Sequence, residues 1–165
     1  RRRPPWRRRI FNWAAICEVA FDTKVSGMAS AGTVYLQSAA QGEGEGTVYV
    51  KNGNRSNNFS GWTPFPAGVS GDSAASLKKV SLAVSGAGRV SISENLQICG
   101  LTITADEGEN HCAVNLNGNT LKVRTAKFGA AKLAPGTYAA ADCPGFLSGE
   151  GSLVVTGGAF AILVR

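Results

Sequence analysis

The sequence predicts an all-β protein built as a parallel β-solenoid, with an antiparallel β-sandwich as the alternative. Three observations carry this. The chain holds 21 glycines among 165 residues, set within a recurrent Val/Leu/Ile/Ser/Thr texture; β-branched residues suit a pleated surface and Gly supplies tight turns. One short pattern recurs at Gly32-Thr33-Val34-Tyr35-Leu36, Gly46-Thr47-Val48-Tyr49-Val50, Gly88-Arg89-Val90-Ser91-Ile92 and Gly151-Ser152-Leu153-Val154-Val155. The last three of these glycines are separated by 42 and 63 residues, both multiples of 21, a plausible coil length for a repeat architecture.

Each Gly is read as a turn and the next four residues as a strand, the second and fourth after Gly pointing to one face. The expected core is therefore Val34, Leu36, Val48, Val50, Val90, Ile92, Leu116, Leu121, Leu153 and Val155. Further strands are expected at Val80 to Ser85, Leu96 to Thr104 and Leu121 to Val123, where Ser, Thr and Gly interrupt any 3.6-residue apolar stripe. Segments 51–76 and 124–147 read as loops or weak strands, because Pro64, Pro66, Pro135 and Pro144 act as breakers. The first interval, 14 residues, departs from the period.

Two features favour the sandwich. Asn117-Gly118 lies between alternating runs, the strongest short hairpin signal, and Ser85-Gly86-Ala87-Gly88 is suited to close a second hairpin. In a solenoid the same residues form corners, where left-handed backbone is needed and Asn side chains meet the next coil.

Charge divides the chain. The net charge is +6, but Arg1, Arg2, Arg3, Arg7, Arg8 and Arg9 supply it, and the other 11 basic residues balance the 11 acidic ones. Residues 1–31 are read as a basic, solvated leader, or as an export signal with Ile10 to Phe21 as its apolar stretch and Ala29-Ser30-Ala31 as an A-x-A-like cleavage site. Residues 32–165 are the solenoid domain. The neutral body gives no reason to expect specific nucleic-acid binding. No run approaches the ~20 apolar residues of a membrane-spanning helix.

The four cysteines, Cys17, Cys99, Cys112 and Cys143, lack the C-x-x-C spacing of zinc or redox sites. They are read as small buried hydrophobes, or, for Cys99 and Cys112, as a pair in an oxidising compartment. His111 stands beside Cys112 and near Asp106, Glu107 and Glu109. That loop lacks the ligand alternation of an EF-hand, and neighbours on a strand point to opposite faces, so neither metal binding nor nucleophilic catalysis is expected. No catalytic residue and no cofactor are expected. Trp62, with Phe59 and Phe65, is the candidate glycan contact, because a flat aromatic face stacks on a sugar ring; the competing role for these rings is core packing.

Residues Gly44 to Val50, then Asn58-Phe59-Ser60-Gly61-Trp62-Thr63 and Ala67-Gly68, resemble the autotransporter-associated β-strand repeat of bacterial surface proteins. Trp62 stands where the repeat has Gly. Residues Val114 to Leu121 and Leu133 to Tyr138 look like C-terminal parts of such repeat-rich chains. The resemblance implies a right-handed β-helix passenger, extracellular or on the outer cell surface, with a structural or adhesive role as part of a larger polypeptide. It carries no catalytic residues. Extracellular polysaccharide is the ligand class considered, in an adhesive surface or, on the alternatives, in a carbohydrate-binding sandwich or a polysaccharide-degrading β-helix enzyme. The apolar Ala159 to Val164 stretch is expected to form a terminal strand that self-associates.

Overall fold

A computed structural model describes residues 29–53, 60–66, 77–104 and 112–157. The arginine arm, Cys17, Phe59, the acidic loop with His111 and the 159–164 stretch lie outside the described residues. The described part is mainly β. Its strands are β1 (Ala29–Ser30), β2 (Thr33–Leu36), β3 (Thr47–Lys51), β4 (Ser60–Gly61), β5 (Thr63–Phe65), β6 (Ser81–Ser85) and β7 (Arg89–Ile92). They continue as β8 (Leu96–Ile103), β9 (Ala113–Asn115), β10 (Thr120–Phe128), β11 (Ala131–Lys132), β12 (Gly136–Tyr138), β13 (Leu147–Ser148) and β14 (Ser152–Val155). Among the described residues helix is limited to two three-residue 3-10 turns, Leu77–Lys79 and Ala140–Asp142.

The strands form an eight-stranded sheet, in the order β12-β14-β10-β8-β6-β3-β2 with β11 also against β10, and a four-stranded sheet, β13-β9-β7-β5. A short parallel pair joins β1 to β4. Interior neighbours in both sheets run parallel. Antiparallel pairing among these strands is confined to β2, β11 and β12 at the flanks. The two hairpins that would favour a sandwich are absent. Strands β6 and β7 belong to different sheets, as do β9 and β10, so Gly86-Ala87 and Asn117-Gly118 turn the chain from one sheet to the other.

The corner chemistry follows from the backbone. Asn117 and Gly118 both take left-handed φ, 50° and 77°, a conformation Asn and Gly accept at least cost. The turn closes through the Asn119 amide donating to the Leu116 carbonyl at 2.8 Å. Asn117-Gly thus encodes the local turn, while the partners on either side decide whether it closes a hairpin or rounds a corner.

Register shows how the passages stack. Leu96 aligns with Leu121 and Leu121 with Leu153; Val90 aligns with Val114 and Val114 with Leu147. Equivalent residues in neighbouring strands are separated by 34, 19, 25 and 32 positions in the larger sheet and by 27, 24 and 33 in the smaller. The expected 21-residue period is therefore not the repeat. The Gly46 and Gly151 motifs lie in one sheet and the Gly88 motif in the other, and their spacing was coincidental.

One continuous core runs between the sheets, with Val50, Val90, Ile92, Leu116, Leu121, Leu153 and Val155 buried as expected and Val48 partly so. Each such side chain contributes about 1.5–3 kcal/mol on full burial. Val34 and Leu36 depart from expectation. Antiparallel register pairs Val34 with Tyr49 and Leu36 with Thr47, while Thr33 and Tyr35 pair with Val50 and Val48. Cross-strand partners share a face, so Val34 and Leu36 lie outward and are only half-buried.

Strand β10 is longer than the expected Leu121 to Val123, continuing through Phe128 into the segment read from residue 124 as loop or weak strand. Its burial changes phase: Leu121 and Val123 point inward, then Ala126 and Phe128. Strand β8 does the same at Cys99-Gly100. In each strand the inward positions therefore change parity between its first and second halves.

At the later end of the larger sheet the chain covers its own edge. Gly136, Thr137 and Tyr138 of β12 pair with Val155, Val154 and Leu153, covering the outer edge of β14. Phe128 stacks on Phe146, with ring centroids 5.1 Å apart.

Candidate functional site

Of the three aromatic residues singled out for glycan contact, Phe59 lies outside the described residues. Phe65 is a core residue, 5% exposed. It follows Thr63 and Pro64 on β5, whose alternation sends Thr63 and Phe65 inward and Pro64 outward. Thr63 is buried because its hydroxyl donates to the Ala31 carbonyl at 2.7 Å. Ala31 and strand β1 therefore belong to the folded body, within the stretch read as a leader.

Trp62 immediately precedes β5 and is half-buried. Thr63 aligns with Val90, which places Trp62 alongside Arg89 of the next passage. The Arg89 guanidinium carbon lies 4.0 Å from the centroid of the Trp62 ring, within cation–π range. The result is a stacked indole and guanidinium on the outward side of the smaller sheet. An indole face supports a sugar ring, and a guanidinium fork suits a carboxylate. Arg89 was not singled out in the sequence, because its neighbour is set by a 27-residue register that only the assembled sheet reveals.

The remaining candidate chemistry is dispersed. Cys99 is half-buried and not disulfide-bonded, so the Cys99–Cys112 pair does not form; Cys112 is buried in the core. Cys143 is also buried, and burial, reinforced by the negative charge of neighbouring Asp142, pushes its thiol pKa up, opposite to an activated nucleophile. Asp142 accepts from the Ala139 amide at 2.7 Å, fixing a turn. Among the described residues no group of three or more His, Cys, Asp or Glu is placed to hold a metal ion. No helix among them is long and apolar enough to cross a membrane. No protein-family model matches the chain, and no curated protein or solved structure does either.

Proposed function

We propose that this chain is a right-handed β-solenoid segment of an exported bacterial surface protein, with a structural and adhesive role rather than a catalytic one. The observation that carries the reading is the order in which the chain visits its sheets. From β3 it passes to β5, then β6, β7, β8, β9 and β10, later β13 and β14, alternating between sheets and laying each passage in parallel register on an earlier one. Such a path is what coil stacking produces, and parallel crossovers are almost always right-handed. Solenoids present long, regular surfaces suited to extended partners.

The test is display. The chain fused to an outer-membrane anchor is expected to confer adhesion to polysaccharide-coated surfaces without releasing reducing sugar from them. Adhesion equal to that of the anchor alone would end the adhesive reading, and sugar release would end the non-catalytic one.

A second reading has its own support. The Trp62–Arg89 stack is a compact aromatic-and-cation surface of the kind that binds sugars in a dedicated module. It predicts that Trp62→Ala weakens polysaccharide retention by protein that is still folded, checked by affinity electrophoresis beside a melting curve; lost stability with retention intact would end this reading.

A further inference from the structure

The outward side of the larger sheet carries a row that the sequence does not show, because its members come from five strands. Register aligns Tyr49 with Ala83, Ala83 with Thr102, Thr102 with Lys127, and Lys127 with Lys132. All five side chains share one face, since aligned residues in a sheet do. The alternate residues Val50, Val84, Ile103 and Phe128 are buried beneath them. Four steps between strands at about 4.8 Å give a row of roughly 19 Å.

The chemistry of the row is graded. At one end Tyr49 is 41% exposed, an unusual position for a large ring and a platform for stacking. Ala83 beside it is small, and Thr102 offers a hydroxyl. At the other end two exposed lysines stand directly opposite one another, and neither has an ion-pair partner among the described acids. Like charges directly opposed across strands weaken a sheet, so the pair is a standing cost in the unliganded chain. A row parallel to this one runs through Ser81, Gly100 and Thr125, where the Ser81 and Thr125 hydroxyls close over the glycine and add small polar groups beside the row.

We propose that this row binds a linear acidic polysaccharide, with a sugar ring stacked on Tyr49 and carboxylates or sulfates placed between Lys127 and Lys132. The assignment rests on the adhesive reading and supplies its ligand class. An acidic glycan fits because it combines ring faces, hydroxyls and regularly spaced anions. Single-stranded nucleic acid is bound through successive stacking aromatics in a basic groove, whereas this row holds one aromatic on an open sheet face.

The experiment uses the full chain with its six N-terminal arginines replaced by serine, so that the arm does not bind the polyanion itself. Affinity electrophoresis in polygalacturonate, in neutral dextran and against a 30-nucleotide DNA strand compares this parent with K127Q/K132Q, K127R/K132R and Y49A. Retention by polygalacturonate is expected to weaken at least tenfold in K127Q/K132Q and in Y49A, to persist in K127R/K132R, and to fall steeply with salt in the parent. Melting of K127Q/K132Q is expected to be unchanged or higher, separating lost binding from lost folding. Polygalacturonate retention unaffected by K127Q/K132Q, equal retention by dextran, or preferential binding of the DNA strand would each overturn the assignment. Displayed protein that adheres to polysaccharide regardless of these substitutions leaves the adhesive reading standing and removes only this row.

Discussion

The side-chain amide of Asn119 donates to the main-chain carbonyl of Ile92 at 2.9 Å, joining corners of successive passages. The same junction is tied once more, as Asn95 accepts from the Thr120 amide at 2.7 Å, and the next one is tied where the Asn119 carbonyl accepts from the Ser152 amide at 3.1 Å. Corner polar groups have no ladder partner of their own, so an Asn side chain supplies one to the neighbouring coil. Asn119→Ala removes one such bond and leaves the Ile92 carbonyl short of a donor. The expected loss is about 1–2 kcal/mol, read as a lower urea midpoint with unchanged m-value.

Leu116 sits at the inner side of the same corner and is 0% exposed. Leu116→Ala is expected to cost about 2–5 kcal/mol, the range for deleting a buried Leu side chain. Leu116→Asp costs more, because a carboxylate there has neither water nor a partner. Against a marginal fold it is expected to leave the chain unfolded at room temperature by circular dichroism. A cooperative, native-like melt for the Asp variant would be incompatible with this core.

Trp62 and Arg89 touch through the parallel register of β5 and β7, and their coupling is measurable. A double-mutant cycle with Trp62→Ala and Arg89→Ala is expected to show about 0.5–1 kcal/mol of interaction energy, the scale of a partly exposed cation–π contact. Additive single effects would mean that the stack contributes nothing to stability.

Much of the core was legible because inward residues alternate. In Ser81–Ser85 and Arg89–Ile92 alternation alone identifies Leu82, Val84, Val90 and Ile92 as buried. What could not be read is any feature fixed by a partner strand. Val34 and Leu36 alternate as faithfully as Val48 and Val50, yet the antiparallel register of β2 reverses their face. The Asn117-Gly118 pair specifies a left-handed turn and says nothing about which sheet follows it. The phase change at Cys99-Gly100 is hidden because both halves of β8 alternate correctly on their own. The candidate site divides the same way: Trp62 stands out as a bulky aromatic in a Gly-rich stretch, whereas Arg89, Lys127 and Lys132 gain their meaning only from the residues that register sets beside them.

Burial of the Cys143 thiol sets the sign of an expected pH dependence. Its thiol pKa is raised in the folded chain by burial and then by Asp142, so the neutral form is favoured there relative to the unfolded chain. Its stabilising contribution is complete below the ordinary thiol pKa of 9.0 and declines as pH rises through the folded value. Chemical denaturation between pH 7 and 10.5 is expected to show stability falling above pH 9, and Cys143→Ala is expected to flatten that fall. An identical alkaline slope in the variant would remove Cys143 as its source.

Strand β12 guards the outer edge of β14, and this makes the oligomeric state a test of the fold. The carbonyls and amides along a bare outer edge of Leu153–Val155 would recruit another chain. Tyr138 anchors the cover: it is half-buried against the core, its partner across the strands is Leu153, and its hydroxyl donates to the Ala134 carbonyl at 2.8 Å. The cover is itself a poor template, being three residues long and preceded by Pro135, and short, proline-flanked edges resist pairing. A chain ending at Gly157 is therefore expected to sediment as a monomer across a wide concentration range. Tyr138→Asp in that chain places a charge against Leu153 and should lift β12 away, giving concentration-dependent dimers in sedimentation velocity while most β signal remains. The untruncated chain, which adds the apolar Ala159 to Val164 stretch, is the comparison that isolates any self-association arising there. Monomeric behaviour of the Tyr138→Asp chain with its β content intact would show that β12 is not what keeps the β14 edge from pairing.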